Sequence, residues 1–312
     1  ERTVRPHLFA LEKLGVGIKA LSDSYEISVK KLKPAEIVLY ESGDTATENV
    51  IMAASKIDGV TVIKFASANY MVQDLCYFLS RLGIKIDGIG THILTVYGQS
   101  NINLDVEYSI SEDPIDSMLF ISAAVTTNSS IDVERCPIDF LDLELLKLEK
   151  MGLKYKILRR YKGENGQTNL ADVRIFKHKK LKALDEKIYA RPFPGLNIDN
   201  LPFFVPIASK AHGRTFIHDW VYENRAIYYT ELSKLGAQID LIDSHRVHVT
   251  GPINFKPSEI VSPPALRPAA IILIGMLAAP GASVFRNVYT ISRGYEDIRS
   301  KLNSLGAKIE MF

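Results

Sequence analysis

One helix ending recurs five times along this chain, in "ALEKLGVGI", "LSRLGIKI", "LEKMGLKYKI", "ELSKLGAQI" and "KLNSLGAKI". In each stretch a glycine follows an apolar helical pattern and precedes a strand pattern. A glycine just after the last helical turn adopts left-handed backbone without the strain that a Cβ would cause. These glycines are residues 15, 83, 152, 236 and 306, so their separations are 68, 69, 84 and 70 residues. That period indicates a duplicated supersecondary unit, longer than the repeats of the common helical solenoids.

The stretch before the last glycine indicates what one unit contains. "PPALRPAAIILIGMLAAPG" predicts a buried helix with Pro268 in its first turn, where the missing N–H has no partner to lose. "ASVFRNVY" alternates as a strand does, "RGYEDIRSKLNSLG" predicts a second helix, and "AKIEMF" predicts a further strand. The other units repeat this order. We therefore predict an α/β (α+β) chain of βαβαββ units, with four complete units and the tail of a fifth.

Composition narrows the function classes. The chain has 312 residues, which suggests about two domains, and 38 Lys and Arg against 36 Asp and Glu give a net charge of +2. That balance does not favour nucleic acid or an anionic membrane as a partner. The apolar run at 269–279 is too short to span a bilayer. Cys76 and Cys136 have no metal-ligand spacing around them, which predicts a reduced, cytoplasmic protein without a metal site.

The longest interval contains "RRYKGENGQTNLADVRIFKHKKLKALDEK", a lysine-rich connection with one strand-like piece. A basic patch for nucleic acid and a solvated loop are both open here, and the lack of an aromatic stacking run favours the loop. Only fourteen residues precede the first repeat glycine. We therefore expect the chain to begin inside a repeat and to be incomplete before Glu1.

Two stretches carry more than packing requires: "SRGYEDIRSKLNSLGAKIE" and "FPGLNIDNLPFFVPIASKAHGRTFIHDWVYENRAIYYTELSKLGAQI". Together they resemble the enolpyruvyl transferase family. The resemblance implies two domains of three βαβαββ units each, with the active site in the cleft between them. Here it implies that about a quarter of a complete protein is missing before Glu1. It also implies the remnant of the first domain at 1–112 and the second domain at 113–312, with repeats at about 113–182, 183–254 and 255–312.

The resemblance also implies an activity. It is the transfer of enolpyruvyl from phosphoenolpyruvate to the 3-hydroxyl of a UDP-amino-sugar with release of phosphate, a step of peptidoglycan precursor synthesis. It implies small-molecule substrates, no cofactor, no nucleic-acid or membrane partner, and a monomer. Two alternatives stay open: an enolpyruvyl transferase with another acceptor, and a catalytically silent paralogue that binds a nucleotide sugar. RNA 3′-phosphate cyclases share a related repeat fold, but their nucleophilic histidine motif is not found.

Site residues are also implied by the resemblance, position by position. Asp199 in "FPGLNIDN" falls on the aspartate that takes the proton of the attacking hydroxyl, and Arg267 and Arg293 fall on the arginines that bind phosphoenolpyruvate. Arg2 falls on a phosphate-binding arginine, with Arg5 as its rival. The substrate-binding positions are Arg2, Thr3, Val4, Arg5, Pro6, His7, Asp199, Val221 and Tyr222.

The chemistry of these residue types supports the assignment independently. Guanidinium groups bind phosphate and carboxylate bidentately, and a hydroxyl that adds to an enol carbon needs a general base. Each residue also has a structural alternative: Asp199 as a helix N-cap, Arg267 on a backbone carbonyl, and Arg293 as a surface residue beside Glu296.

Four family positions are occupied by other residue types here. Ala265 stands for an acidic residue, Thr290 for a histidine, Glu41 for a lysine and Leu201 for a glutamine. Glu41 would repel a diphosphate. These departures leave the acceptor open.

Overall fold

The computed structural model describes residues 3–311, and these form two compact units. The first unit contains the residues up to Ser111, with the short segments Lys162–Thr168 and Pro192–Pro194. The second contains Glu112–Tyr161, Asn169–Arg191 and Gly195 onwards. The sequence places the domain boundary between 112 and 113, and this stays a prediction. The structure divides its two units after Ser111. Asp113 is the N-cap of a helix and its carboxylate accepts the Ile115 N–H.

The first unit contains one complete repeat. Its helices and strands, in chain order, are α1 (Arg5–Lys13), β1 (Val16–Ala20), β2 (Tyr25–Val29), β3 (Glu36–Val38), α2 (Asp44–Ser55), β4 (Gly59–Lys64), α3 (Tyr70–Arg81), β5 (Lys85–Asp87) and β6 (Ile93–Gly98). The strand order is β3-β4-β6-β5, with β3 and β4 parallel and β6 antiparallel to β4 and β5. This is the βαβαββ unit that the sequence predicts.

The second unit is built from the same parts. In chain order they are α4 (Pro114–Thr126), β7 (Ile131–Pro137), the 3-10 helix Ile138–Phe140, α5 (Asp142–Lys150), β8 (Tyr155–Lys162), β9 (Asn169–Ile175), β10 (Leu181–Lys182), β11 (Ile188–Tyr189), the 3-10 helix Leu201–Phe203, α6 (Phe204–Lys210), β12 (Ala211–His218), the 3-10 helix Arg225–Leu235, β13 (Gln238–Asp243), β14 (Arg246–Gly251), β15 (Glu259–Val261), α7 (Leu266–Leu277), β16 (Val284–Arg286), α8 (Tyr289–Ser292) and α9 (Ile298–Ser304). The sheet order β10-β12-β14-β13 repeats that of the first unit.

Three apolar helices form the core of the second unit. α4, α6 and α7 pack against one another, and nearly every side chain of α4 is buried. Gly275 on α7 allows a close approach, because a Cβ there would lie 2.8 Å from a methyl of Leu235 and 2.9 Å from one of Leu232. The long helix predicted from "AAIILIGMLAA" is confirmed as α7.

The five repeat glycines all follow a helix with left-handed backbone, as predicted. Their φ angles are +98°, +88°, +99°, +90° and +101° in chain order. The prediction for the end of the chain was partly wrong. The stretch "RGYEDIRSKLNSLG" is helical only from Ile298, because Asp297 is left-handed and caps α9, and 307–311 form no strand.

The lysine-rich connection is more ordered than predicted. It contains the end of β8 and the strands β9 and β10, and its Arg159 and Arg174 pair with Asp172 and Asp132. No helix in residues 3–311 is long and apolar enough to cross a membrane.

Candidate active site

Asp199 lies between two arginines in the second unit. Arg225 Nη1 is 3.2 Å from Asp199 Oδ1, and Arg267 Nη2 is 3.4 Å from Asp199 Oδ2. The Asp199 side chain is 26% exposed, whereas those of Arg225 and Arg267 are 7% and 13% exposed. A partly accessible carboxylate is thus held by two nearly buried cations. This arrangement can accept a proton and bind an anion at adjacent atoms.

The helix-cap alternative for Asp199 is wrong. The residue at the N-cap of the 3-10 helix Leu201–Phe203 is Asn200, and that helix has no side-chain cap. The carboxylate of Asp199 is instead committed to the guanidinium groups. Likewise Arg267 pairs with a carboxylate and a phenol, so the backbone-carbonyl alternative finds no support among its contacts.

Hydrogen bonds to Glu144 hold the loop that carries Asp199. This side chain of α5 accepts the Asn197 N–H at 3.1 Å and the Asn200 amide at 2.8 Å. Asn197 Oδ1 in turn accepts the Asp199 N–H at 2.8 Å. Burial raises the pKa of Glu144, and the Asn200 amide opposes that shift. The loop therefore has a defined backbone before any substrate binds.

Arg225 is one of the residues that sequence reasoning missed. Its Nε and Nη2 bind the carboxylate of Asp219 at 2.5 and 2.9 Å, and Nη2 also donates to the Ile198 carbonyl at 2.7 Å. Tyr222, one of the predicted nucleotide-sugar residues, stacks beneath the guanidinium at 4.4 Å. The only sequence signal was the arginine of the quoted "WVYENR", which directly precedes several apolar residues, because an arginine that is buried beside them needs a partner.

Asp219 is fully buried and has two kinds of donor. Besides Arg225 it accepts the hydroxyl of Tyr229, one helical turn after Arg225. Burial lowers the pKa of Arg225, but Tyr229, Asp219 and Asp199 reverse that effect and the net shift is upward. Burial also raises the pKa of Tyr229. Tyr229 is therefore a neutral donor and Arg225 a permanent cation.

Arg267, near the start of α7, has a second partner in Tyr295. Its Nη1 donates to the Tyr295 hydroxyl at 2.7 Å. Burial raises the pKa of Tyr295 to about 12, and the Arg267 guanidinium opposes the shift. The phenol is therefore neutral and acts as an acceptor for Arg267.

Other predicted residues do not join this cluster. Arg293 is exposed and forms no ion pair with another described residue, and Val221 is 43% exposed. Their roles stay predictions. Arg2 lies outside the described residues.

The remaining predicted substrate residues belong to the first unit, at the start of α1. Arg5 is exposed, and its N–H donates to the Thr3 hydroxyl at 3.3 Å. Pro6 is buried in the first turn and Val4 is the N-cap. His7 Nδ1 is 2.6 Å from the Asn49 amide.

Glu41, which raised the question of the acceptor, is exposed ahead of α2. Nearby Asp44 accepts hydrogen bonds from Ser67 and Asn69. Within 3–311, no group of three His, Cys, Asp or Glu side chains could hold a metal ion.

Residues 1–302 match the family described as EPSP synthase (3-phosphoshikimate 1-carboxyvinyltransferase). The chain belongs to this family.

Similarity to individual family members extends over nearly the whole chain. A UDP-N-acetylglucosamine 1-carboxyvinyltransferase of Treponema denticola is 34% identical over 99% of this chain and 71% of its own length. One of Bradyrhizobium diazoefficiens is 32% identical over 99% of this chain and 70% of its own length. The chain is an enzyme of the enolpyruvyl (carboxyvinyl) transferase class.

Solved structures establish the same fold. The enolpyruvyl transferase NikO of Streptomyces tendae superposes with a TM-score of 0.84 at 24% identity, covering 98% of this chain and 72% of that one. An EPSP synthase of Acinetobacter baumannii gives 0.76 at 17% identity, covering 99% and 72%. The fold predicted from the repeats is confirmed.

Proposed function

We propose that this enzyme transfers the enolpyruvyl group of phosphoenolpyruvate to the 3-hydroxyl of UDP-N-acetylglucosamine. The observation that carries the proposal is the Asp199 carboxylate between Arg225 and Arg267. The names of the relatives at 34% and 32% identity supply the acceptor. The reaction is the first committed step of peptidoglycan precursor synthesis.

The residues divide the chemistry between them. Asp199 accepts the proton of the sugar hydroxyl while the hydroxyl oxygen bonds to C2 of the enol, and C3 takes up a proton from solvent as the C2–C3 double bond opens. Arg267 holds an anionic group of phosphoenolpyruvate with Arg293. The bond from C2 to the phosphate oxygen then breaks, C3 returns a proton to solvent as the double bond re-forms, and phosphate leaves with the proton that the hydroxyl lost. Arginines stabilise the departing charge because their own position does not change during the step. Substrate binding also involves the residues around the start of α1 and two residues of the second unit: Arg2, Thr3, Val4, Arg5, Pro6, His7, Val221 and Tyr222.

The same proposal covers the setting of the enzyme. Both cysteines are buried and unpaired. Free thiols and nucleotide-sugar substrates are typical of the cytoplasm. We propose that the enzyme acts there as a monomer on small molecules, without a nucleic-acid or membrane partner.

Phosphate release from phosphoenolpyruvate and UDP-N-acetylglucosamine tests the reaction. We expect release only when both substrates are present. Asp199→Asn should reduce kcat by about 10²-fold or more, the usual effect of losing a general base. It should lower the free energy of unfolding by less than about 2 kcal/mol, because it removes hydrogen bonds to charged groups at a partly exposed site. Normal turnover by Asp199→Asn would remove the base from the mechanism.

Glu41 favours a second candidate, an enolpyruvyl transferase with another acceptor. A carboxylate at the family's lysine position disfavours a diphosphate. Thermal shifts with UDP-N-acetylglucosamine and with shikimate 3-phosphate separate the two candidates, because only the ligand that binds the native state raises Tm. A shift with the sugar nucleotide but no turnover would instead indicate the silent paralogue.

A further inference from the structure

The two arginines on Asp199 differ in how firmly they are held. Arg225 engages all three guanidinium nitrogens: Nε and Nη2 bind Asp219, Nη2 also reaches the Ile198 carbonyl, and Nη1 binds Asp199. Arg267 has one hydrogen bond to Tyr295 at 2.7 Å and one longer contact to Asp199 at 3.4 Å. The bond between Arg267 and Asp199 is therefore the weakest in the chain of contacts.

Moving Arg225 away from Asp219 would be energetically costly. Its main partner Asp219 is fully buried, and removing one member of a buried pair leaves an uncompensated charge. Tyr229 donates a hydrogen bond to the same carboxylate. The Asp219 N–H also donates to the His245 carbonyl at 2.7 Å, so the backbone of this residue is fixed as well. Arg267 has no such buried anion among its described contacts.

We propose that Arg225 is a fixed positioning residue and that Arg267 is an exchangeable one. In the free protein, Asp199 occupies part of the face of Arg267 that binds an anion. The phosphate or carboxylate of phosphoenolpyruvate replaces Asp199 as the partner of Arg267. Arg225 meanwhile keeps the Asp199 carboxylate in place to receive the hydroxyl proton. Substrate binding thus frees one side of the base. The identity of the anion rests on the proposed function.

This exchange predicts that removing the base tightens anion binding. An incoming anion must break the contact between Asp199 and Arg267 before it can use that guanidinium, and this competition weakens its apparent affinity. Asparagine has the shape of aspartate but no charge to compete. Simple repulsion between Asp199 and the anion would also be relieved, so the experiment needs a control for repulsion alone.

Asp116 provides that control. Its carboxylate acts on Arg267 electrostatically. Asp116 Oδ2 lies 3.9 Å from Lys301 Nζ. Among the described residues, no hydrogen bond joins Asp116 to Arg267. Asp116→Asn therefore removes a nearby negative charge without freeing a face of Arg267.

Calorimetric titration of the full chain with phosphoenolpyruvate, and separately with inorganic phosphate, tests the exchange. We expect Asp199→Asn to lower the Kd of phosphoenolpyruvate by about tenfold, within the usual range of coupling between two linked interactions. Asp116→Asn should lower it by less than about threefold. Equal tightening by both variants would mean repulsion alone, and no tightening by Asp199→Asn would overturn the exchange. Failure of both anions to bind either the wild type or Asp199→Asn would overturn it too.

The fixed role of Arg225 has its own measurement. Arg225→Lys keeps the charge but loses the fork that spans Asp219 and Asp199. We expect it to lower kcat by about tenfold or more and leave the Kd of phosphoenolpyruvate within about twofold, while Arg267→Lys raises that Kd by about tenfold. An equal rise in Kd for both variants would overturn the distinction.

If Arg225→Lys does not fold, Tyr229→Phe removes the hydrogen bond to Asp219 and so loosens the partner of Arg225. We expect this variant to lower kcat about threefold without changing the Kd of phosphoenolpyruvate. An unchanged kcat would count against the positioning role.

The two proposals can fail separately. If phosphoenolpyruvate binds more tightly to Asp199→Asn but the wild type releases no phosphate with UDP-N-acetylglucosamine, the acceptor is wrong and the exchange stands. If turnover is normal and Asp199→Asn binds phosphoenolpyruvate no more tightly, the proposed function stands and the exchange is wrong.

Discussion

Two helices occupy the same place in their repeats and begin in different ways. α3 (Tyr70–Arg81) connects β4 to β5, and the 3-10 helix Arg225–Leu235 connects β12 to β13. Both end at a glycine with left-handed backbone, Gly83 at φ +88° and Gly236 at φ +90°. The first is capped by Asn69, whose Oδ1 accepts the Tyr70 N–H at 2.9 Å. The second begins after Asn224, at φ +61°, without a side-chain cap.

The difference shows where a repeat can change without losing its fold. The first residue of the 3-10 helix is Arg225, whose guanidinium is held by Asp219, Asp199 and the Ile198 carbonyl. We infer that these contacts fix the start of the helix in place of a side-chain cap. The far end must still turn into a strand, so it keeps its glycine. The turn into the next strand therefore determines how both helices end, and the ion pairs of Arg225 determine how the second one begins.

The largest effect should come from the start of the 3-10 helix. Asp219→Ala leaves Arg225 buried without its main partner, so we expect the free energy of unfolding in urea to fall by about 3 kcal/mol. Asp243→Ala is the matched control, because Asp243 and its partner Arg246 are exposed and such pairs contribute little to stability. Similar losses in the two variants would mean that the buried pair does not anchor this helix.

The two helix ends should respond equally. At Gly83 and Gly236 a Cβ would meet no atom closer than 3.4 Å, so the cost of alanine comes from the backbone alone. We expect Gly83→Ala and Gly236→Ala each to lower the free energy of unfolding by about 1 to 2 kcal/mol, the penalty for left-handed backbone with a Cβ. Chemical denaturation measures both. Losses that differ by more than that penalty itself would show that the two ends are not equivalent.

The smallest effect should come from the cap of α3. Asn69→Ala removes the acceptor for the Tyr70 N–H, and we expect a loss of about 1 kcal/mol in the free energy of unfolding. Asn69→Ser is the control, because serine caps a helix about as well as asparagine. Asn69 also donates to Asp44 at 2.9 Å, so an equal loss with serine would assign the effect to that bond rather than to the cap.

Much of the fold could be predicted because its signals are local. The glycine after each helix, the apolar run of α7 and the alternation in β4, β6 and β12 are read within one element. The prediction failed at 307–311, where a strand-like pattern finds no partner strand in the described residues, and at Asp297, whose left-handed backbone delays α9 to Ile298. A strand exists only if another strand pairs with it, and pairing is not a local property.

The candidate site was predicted less completely. The resemblance led to Asp199 and Arg267, which the structure brings into contact, and to Arg293, which it leaves exposed. Arg225 stood inside a quoted motif and Asp219 close before it, yet no pattern in the sequence shows that one guanidinium joins Asp219 to Asp199. Tyr229 and Tyr295 were missed for the same reason.

The sequence by itself determined the repeat, the helix endings and the class of fold, because left-handed glycines and apolar periodicity act on a few neighbouring residues. Only the tertiary structure decided which charges meet. Asp199 is 26 positions from Arg225 in the same repeat and 68 from Arg267 in the next one, so these side chains meet only after distant parts of the chain have packed. Burial then makes each pairing strong and selective, since a charge removed from water must find an opposite one nearby.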